Sequence, residues 1–263
     1  MLLDSLDICH IIAEYVVYEE LLDWIPQEKL EWLWLSKNPA AVHLLKANPT
    51  KIKWDWLSSS PTKWAIDLLK MHPNKINWTW LSENPAAINL LKANPDKINW
   101  RNLSANPVAI HLLEANPDMI DWDYLSMNPT EWAIHSLEVN QDEIDWNFLS
   151  ANPAAIHLLE ANQDKINWEY LSENPTKWAV RLLEANPDKI NWKYLSENPM
   201  AVHLLEANSD KINWMHLSFN PAAIHLLEAN PNMIDWNRLS RNPAIFKVNQ
   251  KKVTALAQHL HSK

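Results

Sequence analysis

Histidine fills one recurring position at His43, His111, His135, His157, His203 and His225, with Arg181 in the same place and Asp67 and Asn89 in the remaining copies. A charge follows three residues after each: Lys46, Lys70 and Lys92, then Glu114, Glu138, Glu160, Glu184, Glu206 and Glu228. Imidazoles beside carboxylates are the groups that move protons and bind metals near neutral pH. On a helix, a spacing of three puts both members of a pair on one face. The column therefore reads as a ladder, basic at its start and acidic beyond. Zinc chemistry does not follow from it. Equivalent rungs on neighbouring helices lie about 9–10 Å apart, whereas zinc needs several ligands at about 2 Å from one ion. The ladder is expected to be a solvated face or a docking face for a protein partner, with no metal and no cofactor.

What must position this ladder is a repeat. Trp-x-x-Leu-Ser occurs ten times, at Trp32, Trp54, Trp78, Trp100, Trp122, Trp146, Trp168, Trp192, Trp214 and Trp236. Successive copies are 22 residues apart, or 24 in three cases. A period this short implies stacked supersecondary units rather than one closed globule.

In residues 84–105, Asn84 and Pro85 suit a helix start, because the cap accepts an orphan N–H and proline lacks one. Ala86 to Ala93 then reads as a helix of about two turns with Ala87, Ile88, Leu90 and Leu91 on its apolar arc. Asn94-Pro95-Asp96-Lys97 is a turn sequence. The residue before the repeated Trp is Asn or Asp in eight copies (Asn77, Asn99, Asp121, Asp145, Asn167, Asn191, Asn213, Asp235), with Glu31 and Lys53 as exceptions. It is predicted to cap a second short helix, Trp100 to Ala105, with Ile98 and Leu103 as a hydrophobic staple. Helices this short are marginal alone, so stacking must supply the stability. The Trp column, Trp54, Trp78, Trp100, Trp122, Trp146, Trp168, Trp192 and Trp214 above all, is expected to be the densest part of the core.

Two residues after each Trp runs a second variable column: Trp34, Trp56, Trp80, Asn102, Tyr124, Phe148, Tyr170, Tyr194, His216 and Arg238. It is either secondary core or a partly exposed aromatic row of the kind found in interfaces. Three units carry a two-residue insertion with an extra Trp, at Trp64, Trp132 and Trp178, expected to lengthen the first helix by about half a turn.

Composition limits the functional classes. The chain has no glycine, so phosphate-cradling loops, nucleophile elbows and dinucleotide turns cannot be built in their usual form. Carboxylates are spread over the units and the repeated serines sit at helix ends, so no catalytic constellation emerges and an enzyme is not expected. The net charge is −9, against the basic surface that nucleic acid demands. No run of 18 or more apolar residues suggests a membrane span. Cys9 is the only cysteine, which fits a reducing compartment. Met1 to Glu20 carries Asp4, Asp7 and Glu14 without a basic leader and does not read as a secretory signal.

The phrase Leu-Ser-Glu-Asn-Pro-Ala-Ala-Ile-His-Leu-Leu-Glu-Ala-Asn-Pro-Asp-Lys-Ile-Asn-Trp, with the lead-in Leu22-Asp23-Trp24-Ile25-Pro26, resembles a family of short tandem-repeat proteins encoded by giant DNA viruses of amoebae. The resemblance covers all but the ends. It implies a repeat architecture, a viral origin, and a location in the infected cell's cytoplasm or the virion. It assigns no activity and no binding residues. The segment Leu6-Asp7-Ile8-Cys9-His10-Ile11-Ile12-Ala13-Glu14-Tyr15 resembles the start of an F-box, which in viral repeat proteins recruits targets to ubiquitin ligases, although a whole box needs more residues than precede the repeats.

The expected architecture is an all-α solenoid of two-helix units over residues 24–241. A capping helix is expected over 1–23 and another over 242–263. Stacked at helix-packing distance, the units would span about 90–100 Å. The expected role is a non-enzymatic scaffold that binds a host or viral protein. A virion or assembly component and a ubiquitin-ligase adaptor are the alternatives.

Overall fold

The computed structural model describes residues 19–249 together with Thr254 and Gln258. They form an all-α repeat array, with a single pair of three-residue strands, Glu19–Leu21 (β1) and Phe246–Val248 (β2), as the sheet among the described residues.

The unit that starts at Trp78 holds four helical pieces rather than two. Trp78–Glu83 is followed by a 3₁₀ turn at Pro85–Ala87, a helix at Ile88–Lys92 and a second 3₁₀ turn at Pro95–Lys97. The predicted helix over 86–93 is thus split, because proline starts a tight turn that only then relaxes into α geometry. The eight Asn or Asp residues before the Trp cap the second helix as expected; Asn99 Oδ1 accepts from Asn102 N at 3.0 Å. Glu31 and Lys53 provide no such bond. In the units with an insertion, Thr62, Thr130 and Thr176 cap uninterrupted nine-residue helices, Lys63–Met71, Glu131–Val139 and Lys177–Ala185. Helices end without glycine because an asparagine turns back on its own last turn, as Asn94 Nδ2 does to Leu90 O at 2.9 Å. No described residue has a positive φ.

Two side chains hold neighbouring units together. The Ser of each Trp-x-x-Leu-Ser donates to its own Trp carbonyl and accepts the backbone N–H that starts the next unit's second helix. At Ser104 these bonds are 2.9 Å to Trp100 O and 3.0 Å from Asp121 N. The Asn two residues beyond the Ser is buried and fully satisfied. Asn106 Oδ1 accepts from Val108 N at 3.1 Å, and its Nδ2 donates to Ser82 O at 2.9 Å and Asn84 O at 3.1 Å in the preceding unit. The serines are therefore structural, as their position at a helix end suggests.

The core differs from expectation in one respect. Its fully buried side chains are leucines, such as Leu81, Leu91, Leu103 and Leu113, with alanines such as Ala87 between them. Trp54, Trp78, Trp100, Trp122, Trp146, Trp168, Trp192 and Trp214 pack against this core but are only partly buried. An indole is too large for the thin layer between two short helices, where Leu and Ala fill the space. Its outer surface is instead covered from the next unit: Lys165 Nζ lies 4.7 Å from the Trp146 ring and Lys211 Nζ 4.7 Å from that of Trp192.

The array closes on itself. Glu31 N donates to Ser240 Oγ at 2.8 Å, and Asn38 Nδ2 donates to Ser240 O and Asn242 O, both at 3.1 Å. These are the bonds of the internal seams, all but the one where Ser60 stands in place of the Asn, made between the first unit and the last. Lys29 Nζ covers Trp236 at 4.7 Å in the same way. Strands β1 and β2 pair antiparallel with Glu19 opposite Val248 and Leu21 opposite Phe246, and Leu22 N donates to Ile245 O at 2.9 Å. The open rod of about 90–100 Å is accordingly replaced by a ring. Its closing unit is composite: Asn242 to Val248 supply one half and Glu19 to Glu31 the other. Residues 19–21 and 246–248, assigned above to capping helices, are strands because their partner lies at the opposite end of the chain. Of the rest of the two predicted caps, residues 1–18, which include the F-box-like segment, and 250–263 apart from the helical Thr254 and Gln258 lie outside the described residues.

Candidate functional site

Once the framework residues are set aside, two kinds of surface remain. The ladder is exposed throughout, at His43, His111, His135, His157, Arg181, His203 and His225, and at Glu114, Glu160, Glu184, Glu206 and Glu228; Glu138 is half-buried. Its rungs are joined across units. His157 Nε2 lies 2.5 Å from Glu138 Oε1, His203 Nε2 2.9 Å from Glu184 Oε1, and His225 Nε2 2.8 Å from Glu206 Oε1. His111 and His135 instead face Glu114 and Glu138 of their own helices at 3.3 and 3.4 Å. The hydrogen bond from His157 holds the Glu138 carboxyl below its usual range. Arg181, Glu184 and His203 share a hollow of about 260 Å³. Among the described residues no three His, Cys, Asp or Glu side chains gather as metal ligands would. Likewise no described helix is long and apolar enough to cross a membrane.

The second surface is the inner face of the ring. Two columns form it: the aromatic column, two residues after each Trp, and a column three residues further on, which pattern reading passed over. The latter runs Lys37, Ser59, Glu83, Ala105, Met127, Ala151, Glu173, Glu197, Phe219 and Arg241. Its signal was present in the sequence, since it is a variable position between an invariant Leu-Ser and a nearly invariant Asn-Pro. Contacts between non-adjacent units identify the face as inner. Arg238 of the tenth unit reaches Glu197 of the eighth at 2.9 Å, and Lys37 of the first unit lies 5.6 Å from the Trp80 ring of the third.

The aromatic column is half-buried and continuous along two arcs. Trp34, Trp56 and Trp80 form one, with ring centroids 4.5 and 5.7 Å apart. Tyr124, Phe148, Tyr170, Tyr194 and His216 form the other, at 6.0 to 6.2 Å. Asn102 lies buried between the two arcs. Rings of one column stand closer than helices pack because side chains converge toward the centre of a ring.

Charge on this face is divided. In the seventh and eighth units, burial and the neighbouring Glu197 raise the Glu173 carboxyl to about 6. Glu197 contacts Arg238 and also lies 2.6 Å from Nδ1 of the buried His216, out of line for a hydrogen bond. Burial keeps the His216 imidazole below its ordinary pKa, against the pull of Glu197. On the other side, burial and the adjacent Arg241 lower the Lys37 ammonium, while Glu83 opposes them. No protein-family model matches the chain, and no curated protein or solved structure matches it either.

Proposed function

We propose that the protein is a non-enzymatic scaffold for protein–protein interaction, of viral origin, and that its reading surface is the inner face of the ring. One observation carries this. Every seam repeats the same serine bonds, while the inner positions between them differ in charge, size and aromaticity from unit to unit. A constant frame that presents variable, partly exposed aromatic rings beside charges has the composition of a recognition surface. The ladder supports the role less directly, because several of its histidines already pair with glutamates of the neighbouring unit.

Affinity capture from infected-cell lysate, with two variants run alongside, tests the reading. Wild type should retain a partner in stoichiometric amount. A variant with Tyr124→Ala, Tyr170→Ala and Tyr194→Ala should lose it, and one with His157→Ala and His203→Ala should keep it. Loss on the ladder variant alone would move the site to the outer ladder. No captured protein at all would count against the scaffold.

A further inference from the structure

Where the first unit meets the tenth, the inner face carries a cavity of about 360 Å³ lined by Lys37, Trp80, Glu83, Phe219 and Arg241, with prolines of the Asn-Pro starts around it. A smaller hollow of about 150 Å³, between Trp34, Phe219, Arg238 and Arg241, adjoins it. A cavity of that size is within the range that holds small organic molecules.

Its charges do not balance. The Arg241 guanidinium stacks between Phe219, at 4.5 Å, and Trp34, at 5.8 Å. It makes no hydrogen bond and no ion pair with a described residue, and neither does Lys37 beyond its place over Trp80. Burial lowers the pKa of both, and a neighbouring cation lowers each further, Arg241 that of Lys37 and Arg238 that of Arg241. Two carboxylates are near. Glu197 is ion-paired with Arg238 and lies beside His216, and it attracts Arg241 without an ion pair or hydrogen bond to it. Glu83 attracts Lys37 and Arg241 from a distance without touching either. Half-buried cations are ordinarily paired, because desolvation without a partner is costly. Here two are held side by side, in a chain whose net charge is −9. Stacking fixes the plane of the guanidinium and leaves its N–H edges free, which is the geometry that receives a phosphate or carboxylate.

We infer that this cavity is a binding site for an organic anion, a phosphate or carboxylate borne on a planar aromatic body. The anionic group would be held between Lys37 and Arg241 and its ring against Trp80 and the prolines. Glu83 would accept from a hydroxyl or amine on the ligand. The cavity lies on the inner face but can be filled by a free small molecule, so the inference does not rest on the scaffold reading above.

Phenyl phosphate titrated into the full chain, followed by calorimetry and tryptophan fluorescence, tests it. We expect one saturable site that weakens with added salt, and that weakens about tenfold or more on Arg241→Gln or Lys37→Met. Inorganic phosphate, which lacks the ring, and benzyl alcohol, which lacks the charge, should each bind about tenfold more weakly. The inference is overturned if wild type shows no saturable binding, if benzyl alcohol binds as well as the ester, or if well-folded variants keep wild-type affinity. Glu83→Gln provides a second test should the cation variants fail to fold. Removing that negative charge should tighten phenyl phosphate binding, and unchanged or weaker binding contradicts the site. A peptide with phosphotyrosine at its centre separates the sources of the ligand. Binding as tight as phenyl phosphate's assigns the anion to a side chain of another protein, and failure beside a binding ester assigns it to a free small molecule.

Discussion

The seam between the tenth and first units and the seam between the seventh and eighth use the same bonds in different circumstances. Asn198 donates to Ser172 O at 3.0 Å and Asn174 O at 2.9 Å; Asn38 donates to Ser240 O and Asn242 O at 3.1 Å. Ser172 Oγ accepts from Asn191 N at 3.0 Å, and Ser240 Oγ accepts from Glu31 N at 2.8 Å. Two things differ. Chain continuity joins the seventh unit to the eighth, whereas the closing seam joins residues about two hundred positions apart and adds a strand pair instead. On the inner face the internal seam carries Glu173 and Glu197, and the closing seam carries Lys37 and Arg241. The frame is thus indifferent to chain order, and the inner positions give each seam its character.

The largest expected effect breaks the frame itself. Asn198→Ala leaves the buried Ser172 O and Asn174 O without a donor, Asn38→Ala leaves Ser240 O without one and weakens the bonding of Asn242 O, and each removes the acceptor of the turn amide that follows, Met200 N or Ala40 N, so each should cost about 2–5 kcal/mol in urea unfolding. The consequences should then diverge. Asn198→Ala leaves neighbours that remain tethered, so the folded dimensions should stay those of wild type. Asn38→Ala weakens a seam with no tether, and small-angle scattering should report a larger radius of gyration. A closing-seam variant with wild-type melting and wild-type radius would contradict a closed ring.

Much of the frame was legible because it is local. A cap needs only the residue and the three that follow it, so the Asn and Asp positions before the repeated Trp could be read in order. Asn99 and Asp121 do what their place in the sequence implies. Ring closure was not legible, because it depends on a small rotation per unit summed over the array, and no single residue encodes that angle. Serine at the seams looked like an ordinary helix-end residue, since its second bond is to the next unit. The large apolar area of an indole argues for the densest part of the core, but a two-helix layer has room for Leu103 and not for Trp100. The inner column was hidden because Ala105 and Met127 in its middle dilute the charges at its ends.

One seam tests the frame by gain rather than loss. The second unit has Ser60 where the others have Asn, and the buried Ser60 hydroxyl bonds to Thr62 Oγ1 at 3.3 Å, with no donor reaching back to the first unit. The same surroundings accept asparagine elsewhere. Asn128 and Asn174 each hold the following Thr hydroxyl at 2.8 Å while bonding to the unit before. Ser60→Asn should therefore restore the missing pair and raise stability by about 1 kcal/mol in urea unfolding. No gain, or a loss, would mean that this seam is spaced differently from the rest, and the comparison of seams would have to treat it separately.

The smallest effect separates the two seams by charge. Glu173 has a folded pKa of about 6 against an ordinary 4.5, from burial and the neighbouring Glu197. The folded chain then holds more protons than the unfolded chain between those values, so stability falls as pH rises through that window and stays lower above it. Glu173→Gln removes the penalty. The variant should melt higher than wild type at pH 8 and show no advantage at pH 4, with a gain below about 1 kcal/mol once solvent screening is allowed for. At the closing seam the sign reverses. The Lys37 ammonium is lowered by burial and by Arg241, so its penalty is relieved as pH rises through its depressed pKa, and Lys37→Met should help most at neutral pH and least in strong alkali. Melting curves of both variants across pH, with opposite slopes relative to wild type, would establish that the inner face carries two seams of opposite charge in one continuous frame. Parallel slopes would mean that the ring screens both groups alike and that its inner face is electrically uniform.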